Sequence, residues 1–456
     1  MNYSILSRSY DLRGIYGTDI DEDFFFRLGY AWTQVIGKKK IALWYDARLS
    51  SIALRDAFTR GALLAWATVV DIGLCSSDML SFATCHYDDI EAGGMITASH
   101  NPKDYNGFKC LAHSGEPYNF KKYGPEMIDI MNSMESDMWN VIDWKIEHRN
   151  VLEDWTDHIL QFLWDTDFSQ YTIVADGGNG SAGAFMTRLA EKVGFHMIPL
   201  FLDPDGNFPN HHPNPMLEKN RIDAQKALLE KHADVAFIFD GDADRVIVLD
   251  EKGEQVNSAV ISAIIADAII EREPNAKFIG NAVASHNFRD FVVQKWNEYI
   301  REMVGHVYIR ENMMRDRTIA YAGEHSAHYF FRDNYFMDSG IMAGMVFLSV
   351  IARSGKRVSE YTEKYVRYIT LEETNFEVPD PKWAIAKLAE MYKSEKYDLF
   401  DGITVEYPDG SWWNFRPSSN EPLLRFNLEA KTQERFDELY AEIMAHIRTF
   451  GEVSED

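Results

Sequence analysis

The chain has 456 residues, 46% of them hydrophobic, which allows a sizeable core and points to two to four domains. Its formal net charge of −25 argues against a nucleic-acid partner, because phosphate backbones demand a basic surface. No run approaches the ~18 apolar residues of a membrane span, and Met1-Asn-Tyr-Ser-Ile-Leu-Ser-Arg8 lacks the basic-then-apolar order of a signal peptide. Three cysteines, Cys75, Cys85 and Cys110, have no metal spacing and read as reduced thiols of a cytoplasmic protein.

Asp21 to Ile36 reads as an amphipathic helix, ended by Gly37 and the Lys38-Lys39-Lys40 run. Ile41 to Tyr45 is expected as a strand, Ser51 to Ala67 as a helix and Thr68 to Leu74 as another strand. That alternation implies a parallel or mixed sheet covered by helices. The pattern restarts with the strand Tyr171 to Asp176, the Gly177-Gly-Asn-Gly180 turn and a helix from about Ala182. The glycine spacing is not that of a dinucleotide fingerprint. A Pro-rich loop runs from Asp203 to Pro215. A third unit begins near Glu251, with a helix over Ala259 to Glu271 and a strand over Lys277 to Gly280. The last part differs in kind. A helix over Lys382 to Lys393, strands at Ile403 to Tyr407, Ser411 to Phe415 and Leu423 to Leu428, and a helix over Gln433 to Thr449 make a hairpin-rich α+β unit.

Four segments carry groups suited to chemistry. Thr97-Ala-Ser-His-Asn-Pro102 places a serine hydroxyl in a polar turn, and the residue before Pro102 is biased away from helix. Ser99 is either an ordinary turn residue or a presented phosphoryl carrier. Phe237 to Arg245 is an apolar strand that delivers Asp240, Asp242 and Asp244 into a loop. Three carboxylates on one side suit a hard cation such as Mg²⁺, and they repel one another without it. An EF-hand needs glycine where Arg245 stands. Asp240 as an aspartyl-phosphate nucleophile with Asp242 as acid/base is a further reading, but Val246 to Asp250 looks like a hairpin strand rather than the helix that usually follows. Gly323-Glu-His-Ser-Ala-His328 offers a carboxylate and a hydroxyl for sugar hydroxyls. Arg416-Pro-Ser-Ser-Asn-Glu-Pro422, with Arg425 behind it, can form a phosphate cradle. Arg416 could instead pair with Glu421.

Together, in this order, the four segments resemble the α-D-phosphohexomutase family over essentially the whole chain. Tyr10-Asp-Leu-Arg-Gly14, Tyr45 to Ser51, Asp104 to Lys109 and Pro204 to Pro209 add to the likeness. The stretch from Gly323 to Gly340 is most similar to the bacterial phosphomannomutase/phosphoglucomutase branch. The resemblance implies three related mixed-sheet α/β domains plus a C-terminal α+β domain around a central cleft. Its domains would be residues 1–149, 150–249, 250–367 and 368–456. It makes Ser99 the phosphoryl carrier, with Lys109, His306, Arg13 and Arg245 near the reacting phosphate. Ser99, Asp240, Asp242 and Asp244 would hold Mg²⁺. Glu324, Ser326, His328, Arg416, Ser418, Ser419, Asn420 and Arg425 would bind substrate.

The same resemblance implies interconversion of mannose 6-phosphate and mannose 1-phosphate through a hexose bisphosphate that turns end for end. A hexose 1,6-bisphosphate would serve as activator. The partner would be a small hexose phosphate, with neither nucleic acid nor membrane, on a monomer or homodimer. Glucose phosphates are the alternative substrates. A Mg-dependent aspartyl-phosphate phosphatase and a silent sugar-phosphate binding protein are more distant readings. Departures from the family pattern at Val283, Met303, Arg310 and His325, and the Ser-Ser-Asn order of the cradle, bear on substrate preference.

Overall fold

A computed structural model describes residues 2–8, 10–135, 146–164, 166–371, 373–417 and 423–450. Contacts divide the chain into two compact units. The first comprises residues 1–257, 310–320 and 326–361, and the second 258–309, 321–325 and 362–456.

The first unit holds two mixed sheets. One has six strands in the order Leu12–Ile15, Tyr105–Ala112, Ala92–Ile96, Lys40–Tyr45, Thr68–Leu74, Ile146–His148. Its middle is parallel, because helical crossovers join those strands, and its Leu12 edge is antiparallel. The helix Glu22–Ile36 forms as expected. Asp21 caps its start by accepting from Phe24 N, and Gly37 ends it in the left-handed region at φ 62°. It buries Phe24, Phe25, Phe26, Leu28 and Trp32 against the sheet, where Trp32 meets Phe108 edge-on at 5.5 Å. The next helix stops at Leu64, short of the expected Ala67. Trp66 turns left-handed at φ 67° and Ala67 N donates back to Ala62 O, so the chain closes the helix there.

The second sheet runs Gln255–Val256, Val246–Asp250, Val235–Phe239, Thr172–Asp176, His196–Leu200. Val235–Phe239 and Val246–Asp250 are buried along their whole length and pair antiparallel, as the hairpin reading requires. The hairpin Tyr329–Phe331 and Met337–Asp338 and the apolar helix Gly340–Ser354 complete this unit. Two helices here, Asp78–His86 and Phe120–Ser133, and the strands Ala92–Ile96 and Tyr105–Ala112 were not legible as elements in the sequence.

The second unit contains the helix Ser258–Arg272 and the parallel pair Lys277–Asn281 and Tyr299–Glu302. Its C-terminal sheet is antiparallel, ordered Ile369–Thr370, Leu423–Ala430, Trp412–Pro417, Ile403–Glu406, Lys396–Asp398, with Thr374–Glu377 also on Leu423–Ala430. The helices Pro381–Met391 and Gln433–Ile447 bury Leu388, Leu439 and Ile443 against Trp413, Phe415 and Phe426. No helix among the described residues is long and apolar enough to cross a membrane.

Candidate active site

Ser99 lies just beyond the strand Ala92–Ile96, 2% exposed, in the left-handed region at φ 49°. A residue with a Cβ pays roughly 1–2 kcal/mol for that conformation, so its surroundings must impose it. Arg48 does so. Its buried guanidinium donates to four carbonyls of the loop: Ser99 O and Asn101 O at 2.7 Å, Pro102 O at 2.6 Å and Tyr105 O at 3.1 Å. Asp46 accepts from Arg48 Nε at 3.0 Å and fixes the fork. Ser99 N donates to Thr97 Oγ1 at 2.9 Å.

The serine hydroxyl is thereby directed at the aspartate loop, where Ser99 Oγ donates to Asp240 Oδ2 at 3.0 Å. The buried strand Val235–Phe239 delivers Asp240, and Asp242 and Asp244 follow, all three buried. One oxygen from each lies within 4.8 Å of the others. Lys109 Nζ spans Asp242 Oδ2 at 2.8 Å and Asp244 Oδ2 at 2.7 Å, and Ser77 Oγ donates to Asp242 Oδ2 at 2.8 Å. Among the described residues Asp242 Oδ1 and Asp244 Oδ1 are buried without a hydrogen bond, with His328 Nε2 at 3.4 Å from the latter. Orphaned anionic oxygens among convergent carboxylates are what a hard divalent cation requires, so Asp240, Asp242 and Asp244 fit Mg²⁺.

Charge in this cluster is sharply divided. Burial, then Asp244 and Asp242, pushes the Asp240 carboxyl well above its usual range. Burial also opposes ionisation of Asp244, but Lys109, His328 and Arg245 overcome it and hold that carboxyl well below its usual range. Burial works against the Lys109 ammonium, and Asp242 and Asp244 outweigh it, so Lys109 stays charged. His100 is the reverse. Burial, then Arg245 and Arg13, depresses its imidazole, and its Nδ1 accepts from Arg245 Nη2 at 2.8 Å. Arg13, on the strand beside Gly107, reaches Asp11 Oδ2 at 3.2 Å and Asn101 Oδ1 at 3.3 Å. His328 Nε2 lies 3.1 Å from Arg245 Nε and 3.4 Å from Asp244 Oδ1, and its Nδ1 lies 2.9 Å from Ser326 Oγ. The first unit therefore brings Arg13, Ser99, Lys109, Asp240, Asp242, Asp244, Arg245, Ser326 and His328 into one neighbourhood.

The second unit gathers the other group. Glu324 follows the strand Ile319–Gly323, 4% exposed, and accepts from Asn281 Nδ2 at 2.9 Å and Gly305 N at 3.3 Å. His306 is next in the chain and begins the helix His306–Arg315. Arg416 and Arg425 face each other across the antiparallel strands Trp412–Pro417 and Leu423–Ala430. Both reach Glu373, Arg425 Nη1 to Oε1 at 2.6 Å and Arg416 Nη2 to Oε2 at 3.4 Å, so Arg416 pairs with that carboxylate. Ser418, Ser419 and Asn420, and the alternative partner Glu421, lie outside the described residues.

Sequence reasoning assigned no role to Arg48, Asp46, His100, Asn281 or Glu373. Arg48 and Asp46 stood inside a recognised motif, Tyr45 to Ser51, and His100 inside the serine segment. Glu373 carried no local signal, because its partners lie 43 to 54 residues away in the chain.

Models of the phosphoglucomutase/phosphomannomutase alpha/beta/alpha domains I, II and III match residues 4–135, 153–253 and 257–368. The model of that family's C-terminal domain matches residues 373–446. Among curated relatives, the phosphohexose mutases of Xanthomonas campestris pv. campestris (strain B100) are 32% identical over 431 residues, covering 93% of this chain and 94% of theirs. A phosphomannomutase of Escherichia coli (strain K12) is 30% identical over 437 residues, with 93% and 94% covered. Among solved structures, a phosphoglucomutase/phosphomannomutase family protein from Burkholderia thailandensis superposes with a TM-score of 0.87 at 27% identity, covering 98% of each chain.

Proposed function

Because the chain belongs to the phosphoglucomutase/phosphomannomutase family, and is thus a phosphosugar mutase of the isomerase class, we propose that it interconverts mannose 6-phosphate and mannose 1-phosphate. The observation that carries the reading is the Ser99 hydroxyl, fastened in a left-handed turn and aimed at Asp240 within the carboxylate trio.

In this reading Ser99 carries a phosphoryl group. The Ser99 Oγ–P bond breaks as a sugar hydroxyl forms a new O–P bond, and the proton of that hydroxyl ends on the freed Ser99 Oγ. The resulting hexose bisphosphate then returns its other phosphate to Ser99 Oγ as that sugar O–P bond breaks, and the Ser99 hydroxyl proton ends on the freed sugar oxygen, which leaves the isomer. Mg²⁺ bound by Asp240, Asp242 and Asp244 would supply electrostatic neutralisation of the transferring oxygens. Lys109, Arg13 and Arg245 add fixed positive charge, in a protein whose net charge is −25. Glu324 and Ser326 hold sugar hydroxyls, with His328 beside them in the chain. Arg416 and Arg425, with Ser418, Ser419 and Asn420, hold the phosphate that is not reacting, and His306 assists near the reacting one. A hexose 1,6-bisphosphate primes the serine. The same reading divides the chain at residues 149, 249 and 367.

Glucose phosphates are the second reading, favoured by the match to relatives named phosphohexose mutases. The aspartyl-phosphate hydrolase reading is disfavoured, because the strand after the aspartates pairs antiparallel with the one before them. The test is incubation with mannose 6-phosphate, Mg²⁺ and a trace of mannose 1,6-bisphosphate, followed by phosphorus NMR, with glucose phosphates in parallel. Formation of mannose 1-phosphate is expected, and S99A abolishes both turnover and phosphorylation of the protein. Release of inorganic phosphate without isomer would sink the mutase reading.

A further inference from the structure

Arg416 and Arg425 stand directly opposite each other on neighbouring antiparallel strands. Like charges so placed repel and need a shared counter-ion. Glu373, just before the strand Thr374–Glu377, supplies it, taking one guanidinium on each carboxylate oxygen. The pairing is incomplete. Arg416 Nε and Arg425 Nε are both buried without a hydrogen bond among the described residues. Glu373 thus takes only one nitrogen of each guanidinium, and a second anion meets a carboxylate already in place.

Glu373 is in turn held by His325. Asn281 Nδ2 donates to His325 Nδ1 at 3.0 Å, which leaves His325 Nε2–H to donate to Glu373 Oε2 at 3.1 Å. The same Asn281 amide donates to Glu324 Oε1 at 2.9 Å. A continuous hydrogen-bonded path thus runs from Glu324 through Asn281, His325 and Glu373 to the two arginines.

We propose that Glu373 is an internal anion that competes with the non-reacting phosphate for Arg416 and Arg425, and that His325 positions it, so that the pair sets how tightly that phosphate is held. This rests on the reading of the two arginines as a phosphate grip. A bisphosphate that must leave the grip, turn and return needs a hold that is specific but not tight. A fixed counter-charge meets that need, because each guanidinium keeps its geometry while part of its field is already neutralised. Glu373 and His325 are positioning residues, acting through the arginines and not on the reacting atoms.

The experiment measures binding of inorganic phosphate to the full chain by calorimetry, alongside kcat and KM with mannose 6-phosphate. E373Q keeps the shape and removes the competing charge. Phosphate affinity is expected to rise roughly tenfold, the size of one like-charge repulsion in a partly screened site. KM and kcat should fall together, and the rise should vanish in R416A/E373Q. H325M, which removes the donor that draws charge from Glu373, is expected to weaken phosphate binding, and H325Q to recover most of the loss. An E373Q chain with wild-type thermal stability and unchanged or weaker phosphate affinity would overturn the proposal. If E373Q does not fold, E373D withdraws the carboxylate from the arginines, and the same tightening is expected or the proposal fails. Interconversion of mannose phosphates with no change in E373Q affinity rejects the counter-ion alone. Altered phosphate affinity in a chain that isomerises no hexose phosphate rejects the mutase reading alone.

Discussion

Arg48 shows how much a single buried side chain decides. Four loop carbonyls and Asp46 meet one guanidinium, and the left-handed Ser99 follows from that clasp. A lysine keeps the charge but loses the planar fork. R48K is therefore expected to retain the fold and lower kcat by about 100-fold, because the hydroxyl is no longer held in line. Steady-state kinetics with circular dichroism checks this. Asp242 Oδ1, without a hydrogen bond among the described residues, makes a second expectation. Mg²⁺ at 100 times its Kd should stabilise the chain by about 2.7 kcal/mol, seen as a rise in Tm that chelation reverses. D242N should lose that rise. The serine and the aspartates were legible as residue types in a spaced pattern. Their clasp was not, because Arg48 and Ser99 are 51 residues apart and only the fold brings them together.

Among the elements, the strand Val235–Phe239 and its loop do most to build the site. The strand is buried on both faces, which is why it reads as a continuous apolar run. The loop then passes so close to Ser99 that a Cβ on Gly241 would sit 2.7 Å from Ser99 O, while Ser181 Oγ donates to Gly241 O at 2.9 Å and fixes it from the other side. G241A must move one loop or the other, at a cost of about 1–3 kcal/mol. It is expected to reduce kcat by ten- to a hundredfold with a smaller change in KM, which kinetics on the purified variant tests. Helices with caps and a clear apolar stripe, such as Glu22–Ile36, were readable to within a residue. The strand Ala92–Ile96 was not, because its Gly93 and Gly94 have low strand preference and tertiary burial alone makes it extended.

Across the whole molecule, buried ionisable groups couple stability to pH. Glu429 is buried in the C-terminal sheet, accepting from Trp412 Nε1 at 2.6 Å and His286 N at 2.9 Å. Burial pushes its carboxyl up to about 7, with hydrogen bonds from Ser285, His286 N and Trp412, and then Arg289, opposing. The folded chain therefore keeps this proton where the unfolded chain has lost it. Its contribution to stability is fully present below the ordinary glutamate range, near pH 4.5, and is lost as pH rises towards 7. E429Q should flatten that fall, by roughly 1 kcal/mol or more between those limits. Thermal melts of both proteins across the range measure it.

The sequence by itself determined the alternation of strands and helices, the α+β character of the C-terminal part, the family, and the identity of the groups available for chemistry. Those are properties of residue type and spacing along the chain, which local periodicity and short motifs record. Only the tertiary structure decided that the Asp240 carboxyl is pushed up while that of Asp244 is held down, that His100 and His328 both accept a hydrogen bond from Arg245, and that Glu373 stands between Arg416 and Arg425. Burial and through-space charge set those outcomes, and neither is a function of distance along the chain.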